Sequence, residues 1–372
     1  MKSRIKGEKR YMYKENFELK DINIEQIGID KTSIRLDILS FDIDRLIKNN
    51  VKVNESQLTG ACNFTIKDDV FGKLIADGNK ATLQLKISAD NNNLNNLDAP
   101  EYKQRVLDVL DYLKQEYSLE LDYSSAKIHK LELNVTLLLE QPFKAYQDPI
   151  QLIYSCLPLS IYHSKNNKNE VKQQVWFTHK NNEKVIETFT IKNTSLQLKI
   201  YDKGKQLRDA GINVSNEYLR LEYTFCSKST IKNYIDGAKV CNVNNYALKR
   251  LFFKYYNRDI RKQLPKYFKS NQKELVSKLK QLKFGEAKER YWIQKFLLYV
   301  RSEDTKRVLP LLFDLEQLDK ALQQAFKDTQ LNYKESYKSF KKAFERNEYY
   351  LNDLSNNKKN LDFITKKIEA LR

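Results

Sequence analysis

At 372 residues the chain exceeds the roughly 250 residues at which single hydrophobic cores stop growing, which predicts two domains. A hydrophobic fraction of 41%, with 23 Tyr and 18 Phe, excludes an unstructured polar chain. The 66 Lys and Arg against 48 Asp and Glu leave a net charge of +18, which points to a polyanionic partner held less tightly as salt rises, although a lysine-rich coding bias gives the same excess.

No apolar run reaches the ~18 to 20 residues of a membrane span, and Met1 to Glu8 carries no apolar signal core, so a cytoplasmic protein without membrane contact is expected. Cys62, Cys156, Cys226 and Cys241 lack Cys-x-x-Cys spacing, which speaks against a zinc site or a disulfide framework.

From Thr32 to Leu39, Ile34, Leu36 and Ile38 alternate with polar residues, the period of a half-buried strand. Ala61 to Lys67 and Ala81 to Ile87 repeat the pattern around the turn Asp77-Gly78-Asn79 and read as antiparallel neighbours. An Asn-rich loop, Asp90 to Asn96, precedes a helix over Glu101 to Tyr117 with Val106, Leu110, Leu113 and Tyr117 on one face. A strand over Lys127 to Leu139 and a helix over Pro149 to Leu157 follow. Further strands fit Gln174 to Thr178, Val185 to Ile191, Leu196 to Tyr201 and Tyr218 to Phe225.

Beyond about Thr230 the patterns turn helical, at Tyr246 to Leu264, at Glu286 to Tyr299, and in a seam from Tyr333 to Ile368 that fits either a coiled coil or a helix folded back on its own domain. Phe252 to Arg258 interleave aromatic and basic residues, which suits base stacking or an ordinary core face. The fold expected is α+β: an N-terminal extension (1–28), an antiparallel-sheet domain (29–235) and an all-helical C-terminal domain (236–372) for DNA binding or oligomerisation.

The chemistry centres on Leu198-Lys199-Ile200-Tyr201-Asp202-Lys203-Gly204-Lys205. A phenol with its usual pKa near 10 attacks a phosphodiester only when cations or a metal stabilise the developing charge. Lys203 and Lys205 offer that field, with Lys205 on the phenol's face if the chain turns helical after Tyr201. Spacing alone leaves Tyr201 either this nucleophile or a structural strand-end tyrosine. Glu132, between Leu131 and Leu133, and Glu222, between Leu221 and Tyr223, fall in neighbouring strands, suited to a hard divalent ion or to salt bridges with Lys130 or Arg220. His129, His163 and His179 show no metal-ligand spacing, and nucleotide-binding glycine motifs are absent.

In their order along the chain these segments resemble the filamentous-phage gene II/gene X replication proteins, a branch of rolling-circle initiators. The likeness lies in Ile29-Asp30-Lys31-Thr32, Asn91-Asn92-Asn93-Leu94, Lys130-Leu131-Glu132-Leu133-Asn134, Leu198 to Leu207 and Leu219-Arg220-Leu221-Glu222, together spanning about residues 29 to 240. Asn92 stands where some members have histidine, Glu132 where aspartate is commoner, and Leu221 where phenylalanine is usual. The resemblance implies a nicking-endonuclease-like sheet domain with Tyr201 as nucleophile, Lys203 as its neighbouring cation and Glu132 and Glu222 as acidic active-site residues; the phosphate chemistry implies Mg²⁺ or Mn²⁺, with Glu132, Glu222 and Asn92 as candidate ligands. The resemblance further implies nicking and rejoining of one strand of origin DNA, double- and single-stranded, through a 5′-phosphotyrosyl link, with a host helicase and a homodimer as further partners. A non-catalytic origin-binding or regulatory protein and a mobilisation relaxase are the alternatives.

Overall fold

The computed structural model describes residues 25–55, 62–86, 96–157, 172–180, 183–268, 315–329 and 348–372, with isolated positions between 276 and 342. Ten strands form one sheet: β1 Ile27–Phe41, β2 Val53–Glu55, β3 Cys62–Asp68, β4 Gly72–Asp77, β5 Lys80–Lys86, β6 Leu119–Leu138, β7 Lys172–Lys180, β8 Glu183–Lys192, β9 Leu196–Asp202 and β10 Tyr218–Phe225. Their order is β2-β3-β4-β5-β1-β6-β10-β9-β8-β7, and each adjacent pair is antiparallel. The helices are α1 Ile43–Lys48, α2 Ala99–Tyr117, α3 Gln147–Cys156, α4 Lys203–Asp209, α5 Lys228–Lys232, α6 Asn245–Tyr256, α7 Leu315–Thr329 and α8 Glu348–Ala370. The fold is α+β, an antiparallel sheet with a helical part after it.

Strict alternation divides the sheet into two unlike faces. Register aligns Ile34 and Leu36 with Leu83 and Ala81 on β5, Leu133 and Val135 with Tyr223 and Leu221 on β10, and these in turn with Leu198 and Ile200 on β9. All are buried in one hydrophobic cluster, at about 1.5 to 3 kcal/mol for each large side chain removed from water. Helices from both ends of the chain cover this face. Val106 and Leu113 of α2 and Ile150 and Ile153 of α3 join the cluster, as do Phe252 of α6 and Ile364 and Ile368 of α8. The other face of β1, β3, β5 and β6 presents Lys31, Arg35, Lys67, Lys86, Lys127 and Lys130, all exposed.

Several elements differ from the sequence reading. The segments around 61–67 and 81–87 are not neighbours, because β4 lies between them, and Gly78 turns β4 into β5. The outward Ile75 breaks the apolar alternation of so short a strand and hides it. The central β6 starts at Leu119, eight residues before Lys127, its first half disguised by the polar Tyr123-Ser124-Ser125. Helix α2 begins at Ala99 rather than Glu101, since Asp98 and Glu101 form a reciprocal capping box around Pro100. The 246–264 helix is α-helical only to Tyr256 and continues as a π-turn over Asn257–Arg261. Beyond the exposed Tyr246, its rings pack inward: Phe252 meets Tyr223 at 5.6 Å and Tyr255 meets Phe225 at 4.9 Å.

The described end of the 333–368 seam folds back on the sheet. Asn357 donates to Asp148 Oδ2 at 2.9 Å, Asn360 to the Ala145 carbonyl at 2.9 Å, and Lys367 to Glu25 Oε1 at 2.8 Å. The 286–299 helix, the start of the seam and the Asn-rich loop before Asn96 lie outside the described residues. Among the described residues no helix is long and apolar enough to cross a membrane.

Candidate active site

Where β9, β10, β6 and β1 run side by side, the face opposite the main hydrophobic cluster carries polar side chains at alternate positions, between aliphatic and aromatic residues of the core. Register places Arg220, Glu222 and Thr224 of β10 opposite Thr136, Asn134 and Glu132 of β6, and opposite Tyr201, Lys199 and Gln197 of β9. On the far side of β6 the register with β1 shifts between Ile29 and Thr32, so Asp30 and Lys31 together oppose Glu132. Such a β-bulge re-aims a side chain that regular pleating would send to the other face. It brings Asp30 to within reach of Glu132 and Glu222, and one carboxylate oxygen of each lies within 4.8 Å of the others. Upstream, Gly28 cannot carry a side chain: a Cβ there would lie 1.9 Å from Asn96 Oδ1 and 2.8 Å from the Leu97 carbonyl.

The cluster is buried. Arg220 and Asn134 are fully covered, and Glu222, Glu132 and Asp30 are 1%, 2% and 3% exposed. Charges so placed persist only with partners. Arg220 donates to Thr136 Oγ1 at 2.8 Å and pairs with Asp30 Oδ2 at 3.3 Å. Lys199 reaches Glu222 Oε1 at 2.5 Å and Glu132 Oε2 at 4.0 Å. Lys31 reaches Glu132 Oε1 at 3.5 Å, and the Thr224 hydroxyl donates to Glu132 Oε2 at 3.2 Å. Where sequence offered Lys130 or Arg220 as salt-bridge partners, Lys31 and Lys199 pair with Glu132 and Lys199 with Glu222.

The three carboxyls are driven apart in acidity. Burial, reinforced by Glu222 and Asp30, pushes Glu132 up to about 7. Burial also raises Asp30, against the pull of Arg220 and Lys31. At Glu222 burial acts in the same sense, but the Lys199 ammonium, with Lys31 and Arg220, outweighs it and holds the carboxyl below its ordinary value. Glu222 is therefore the ionised member, and Glu132 exchanges a proton near neutrality.

Tyr201 is 7% exposed, and its hydroxyl donates to Glu222 Oε2 at 3.3 Å. Burial raises the phenol well above 10; Arg220 opposes the shift, and the three carboxylates add to it. Lys203 opens α4, is 3% exposed, and donates from Nζ to Gln206 Oε1 at 2.9 Å. Burial and then Arg220 pull its ammonium down to about 7. Lys205 is not gathered into this group. It pairs with Asp209 at 2.8 Å and Glu187 at 3.4 Å. Glu187 precedes Thr188, the register partner of Tyr201, and is the extra residue at the shift of register between β7 and β8. Asn92 lies outside the described residues.

The geometry thus joins Tyr201, Lys203, Glu132 and Glu222 and adds residues that sequence reading did not single out: Asp30, Asn134, Lys199 and Arg220. The signal for Asn134 and Arg220 was a polar residue at alternate positions of the buried runs Leu131 to Leu137 and Leu219 to Phe225. Both polar atoms of the Asn134 side chain and Asp30 Oδ1 are buried without a hydrogen-bond partner among the described residues, a costly state that a bound group would relieve. Three carboxylates and an amide oxygen form a hard oxygen donor set, which fits Mg²⁺ or Mn²⁺ and not a soft metal.

No family model and no curated protein matches the chain. Among solved structures, the rolling circle replication initiator protein from Geobacillus stearothermophilus is similar over 63% of this chain and 85% of that one, at 11% identity and a TM-score of 0.34, an overlap too low to carry any residue of that protein onto this chain.

Proposed function

We propose that the chain is a rolling-circle replication initiator that nicks and rejoins one strand of origin DNA, with Tyr201 as nucleophile. The observation that carries this reading is the hydroxyl of Tyr201 hydrogen-bonded at 3.3 Å into a buried carboxylate cluster with unpartnered oxygen donors. Asp30, Glu132, Glu222 and the Asn134 amide oxygen would hold Mg²⁺ or Mn²⁺, which supplies Lewis-acid stabilisation of a phosphate when bound.

The chain's own residues supply the rest. Glu222, kept ionised by Lys199, accepts the Tyr201 proton as the Oη–phosphorus bond forms. As the P–O3′ bond breaks, Lys203, poised near pH 7, returns a proton to the 3′-oxygen. Reversal of the same steps reseals the strand, so the bond energy stays in the 5′-phosphotyrosyl link and ATP is not consumed. Lys199, Lys31 and Arg220 hold the carboxylates in place while the ester is exchanged. A mobilisation relaxase would run the same chemistry at a transfer origin, with a host helicase as further partner in either role.

The test is incubation of purified protein with Mn²⁺ and supercoiled plasmid bearing the gene's own flanking DNA. The reading expects an open circle with protein bound to its 5′ end, and neither product from Tyr201→Phe. Burial of Tyr201 to 7% exposure favours one second reading, a DNA-binding protein in which this tyrosine is structural. Under it Tyr201→Phe binds DNA as wild type does, and neither protein nicks.

A further inference from the structure

Some 13 Å along β1 from Lys31, four residues at the ~3.3 Å rise of a strand, Arg35 opens a second polar site on the same face of the sheet. Arg35, Lys127, His129 and Lys228 surround a cavity of about 230 Å³ whose remaining wall is Ser125 and the Lys80–Asp37 ion pair. Three strands and a helix converge there: Arg35 of β1 lies opposite Thr82 of β5 and Lys127 of β6, and Lys228 begins α5. A second shift of register, between Ser33 and Ile34, bulges β6 at His129 and turns the imidazole into the group. Lys80 is neutralised by Asp37, whereas Arg35, Lys127 and Lys228 are exposed and held in no ion pair among the described residues.

Three uncompensated cations around one concavity attract an anion, and the surroundings say which kind. Lys31, Lys67, Lys86 and Lys130 continue the positive charge over the exposed sheet face, and the cavity is lined by polar and charged residues alone, which suits neither an apolar peptide nor a lipid tail. An extended polyanion that crosses this face meets the cavity and the carboxylate cluster in succession.

We propose that the Arg35–Lys127–His129–Lys228 cavity is a phosphate subsite that seats the backbone of a DNA strand a few nucleotides from the bond presented to the cluster. The choice of DNA rests on the nicking reading; the anion site rests on the cavity alone. Guanidinium and ammonium groups donate charge-assisted hydrogen bonds to the non-bridging oxygens, and the site takes any base, since only backbone is held. The imidazole faces Arg35 and Asp37 from β1, Lys80 from β5, Ser125 and Lys127 from β6 and Lys228 from α5. Burial first, then Lys228, Arg35 and Lys127, depress its pKa, and a bound phosphate, by opposing those cations, raises it.

The experiment measures binding of a fluorescein-labelled 20-nucleotide single strand to the full chain carrying Tyr201→Phe, so that catalysis plays no part. Anisotropy titrations at several salt concentrations compare this protein with one that also carries Arg35→Ala, Lys127→Ala and Lys228→Ala. All three positions are exposed, so folding is preserved, which circular dichroism checks. Each lost contact to a single strand lowers the slope of log K against log salt by about 0.7, so the triple variant should lose roughly 2. A control removes three exposed lysines of the helical side, Lys249, Lys254 and Lys262, and keeps the wild-type slope. The strand should also raise the His129 pKa read by NMR. An unchanged slope in the triple variant, an equal loss in the control, or no binding at all overturns the subsite. A reduced slope together with failure of wild type to nick leaves the subsite standing and removes the nicking reading.

Discussion

The Arg220–Asp30 pair exposes the electrostatics of the site to a direct perturbation. Arg220 is fully buried and Asp30 nearly so, and both Thr136 and Asp30 depend on its guanidinium. Arg220→Met keeps an unbranched chain of similar length and removes the charge. Breaking a buried pair by deleting one partner costs about 3 to 5 kcal/mol, because the remaining charge stays uncompensated. A clear fall in urea midpoint is expected at pH 7. The loss has a pH signature. Asp30 is already raised by burial, and without Arg220 it rises further. A carboxyl with a raised folded pKa keeps its proton in the folded state after the unfolded chain has lost it. Stability therefore falls as pH increases through that window, by at most about 1.4 kcal/mol per unit for one group. The Arg220→Met loss should shrink as pH falls, since protonation of Asp30 removes the charge that the variant leaves uncompensated. Adding Asp30→Asn to the variant should recover much of the loss at pH 7. A loss below about 1 kcal/mol, or one independent of pH, refutes the account of how the cluster is held together.

Glu132, raised to about 7, should make Mn²⁺ binding weaken as pH falls below neutrality, because the ion must displace its proton; Glu132→Gln should bind less and lose this dependence, as followed by Mn²⁺ paramagnetic resonance. Gly28→Ala should destabilise by about 1 to 3 kcal/mol through overpacking against Asn96 and Leu97, read by thermal unfolding; an unchanged melting temperature contradicts the close approach. Asn134→Leu, which removes two unpartnered buried polar atoms, should be neutral or stabilising without divalent ion yet should lower Mn²⁺ affinity, whereas a purely structural asparagine would give the first effect alone.

Periodicity revealed the half of the sheet whose strands are long and regular. Leu219 to Phe225 and Leu196 to Tyr201 were legible because every second residue is apolar and buried. The edge was not, as β2 has three residues and β4 six, too few for a period to emerge. At the site, Glu132, Tyr201 and Glu222 stood out as reactive residues in successive strands, and register brings them together. Asp30 could not be read so. In an unbroken strand it and Lys31 point to opposite faces, and only the bulge opposite Glu132 turns both inward. Lys199 and Arg220 looked like ordinary cations, and their value lies in partners 23 and 190 residues away. Lys205 shows the reverse: its i+4 spacing from Tyr201 suggested a shared face, but the helix starts only at Lys203, with Asp202 as its cap, and carries Lys205 to Glu187 and Asp209.

The most direct test of Tyr201 as nucleophile is trapping of its covalent product. The protein is incubated with Mn²⁺ and DNA from its own flanking region, digested with nuclease and protease, and analysed by mass spectrometry. The account predicts a nucleotide joined through its 5′-phosphate to the peptide containing Tyr201, absent from Tyr201→Phe. A nucleotide on any other tyrosine, or nicked DNA with no protein attached, contradicts it.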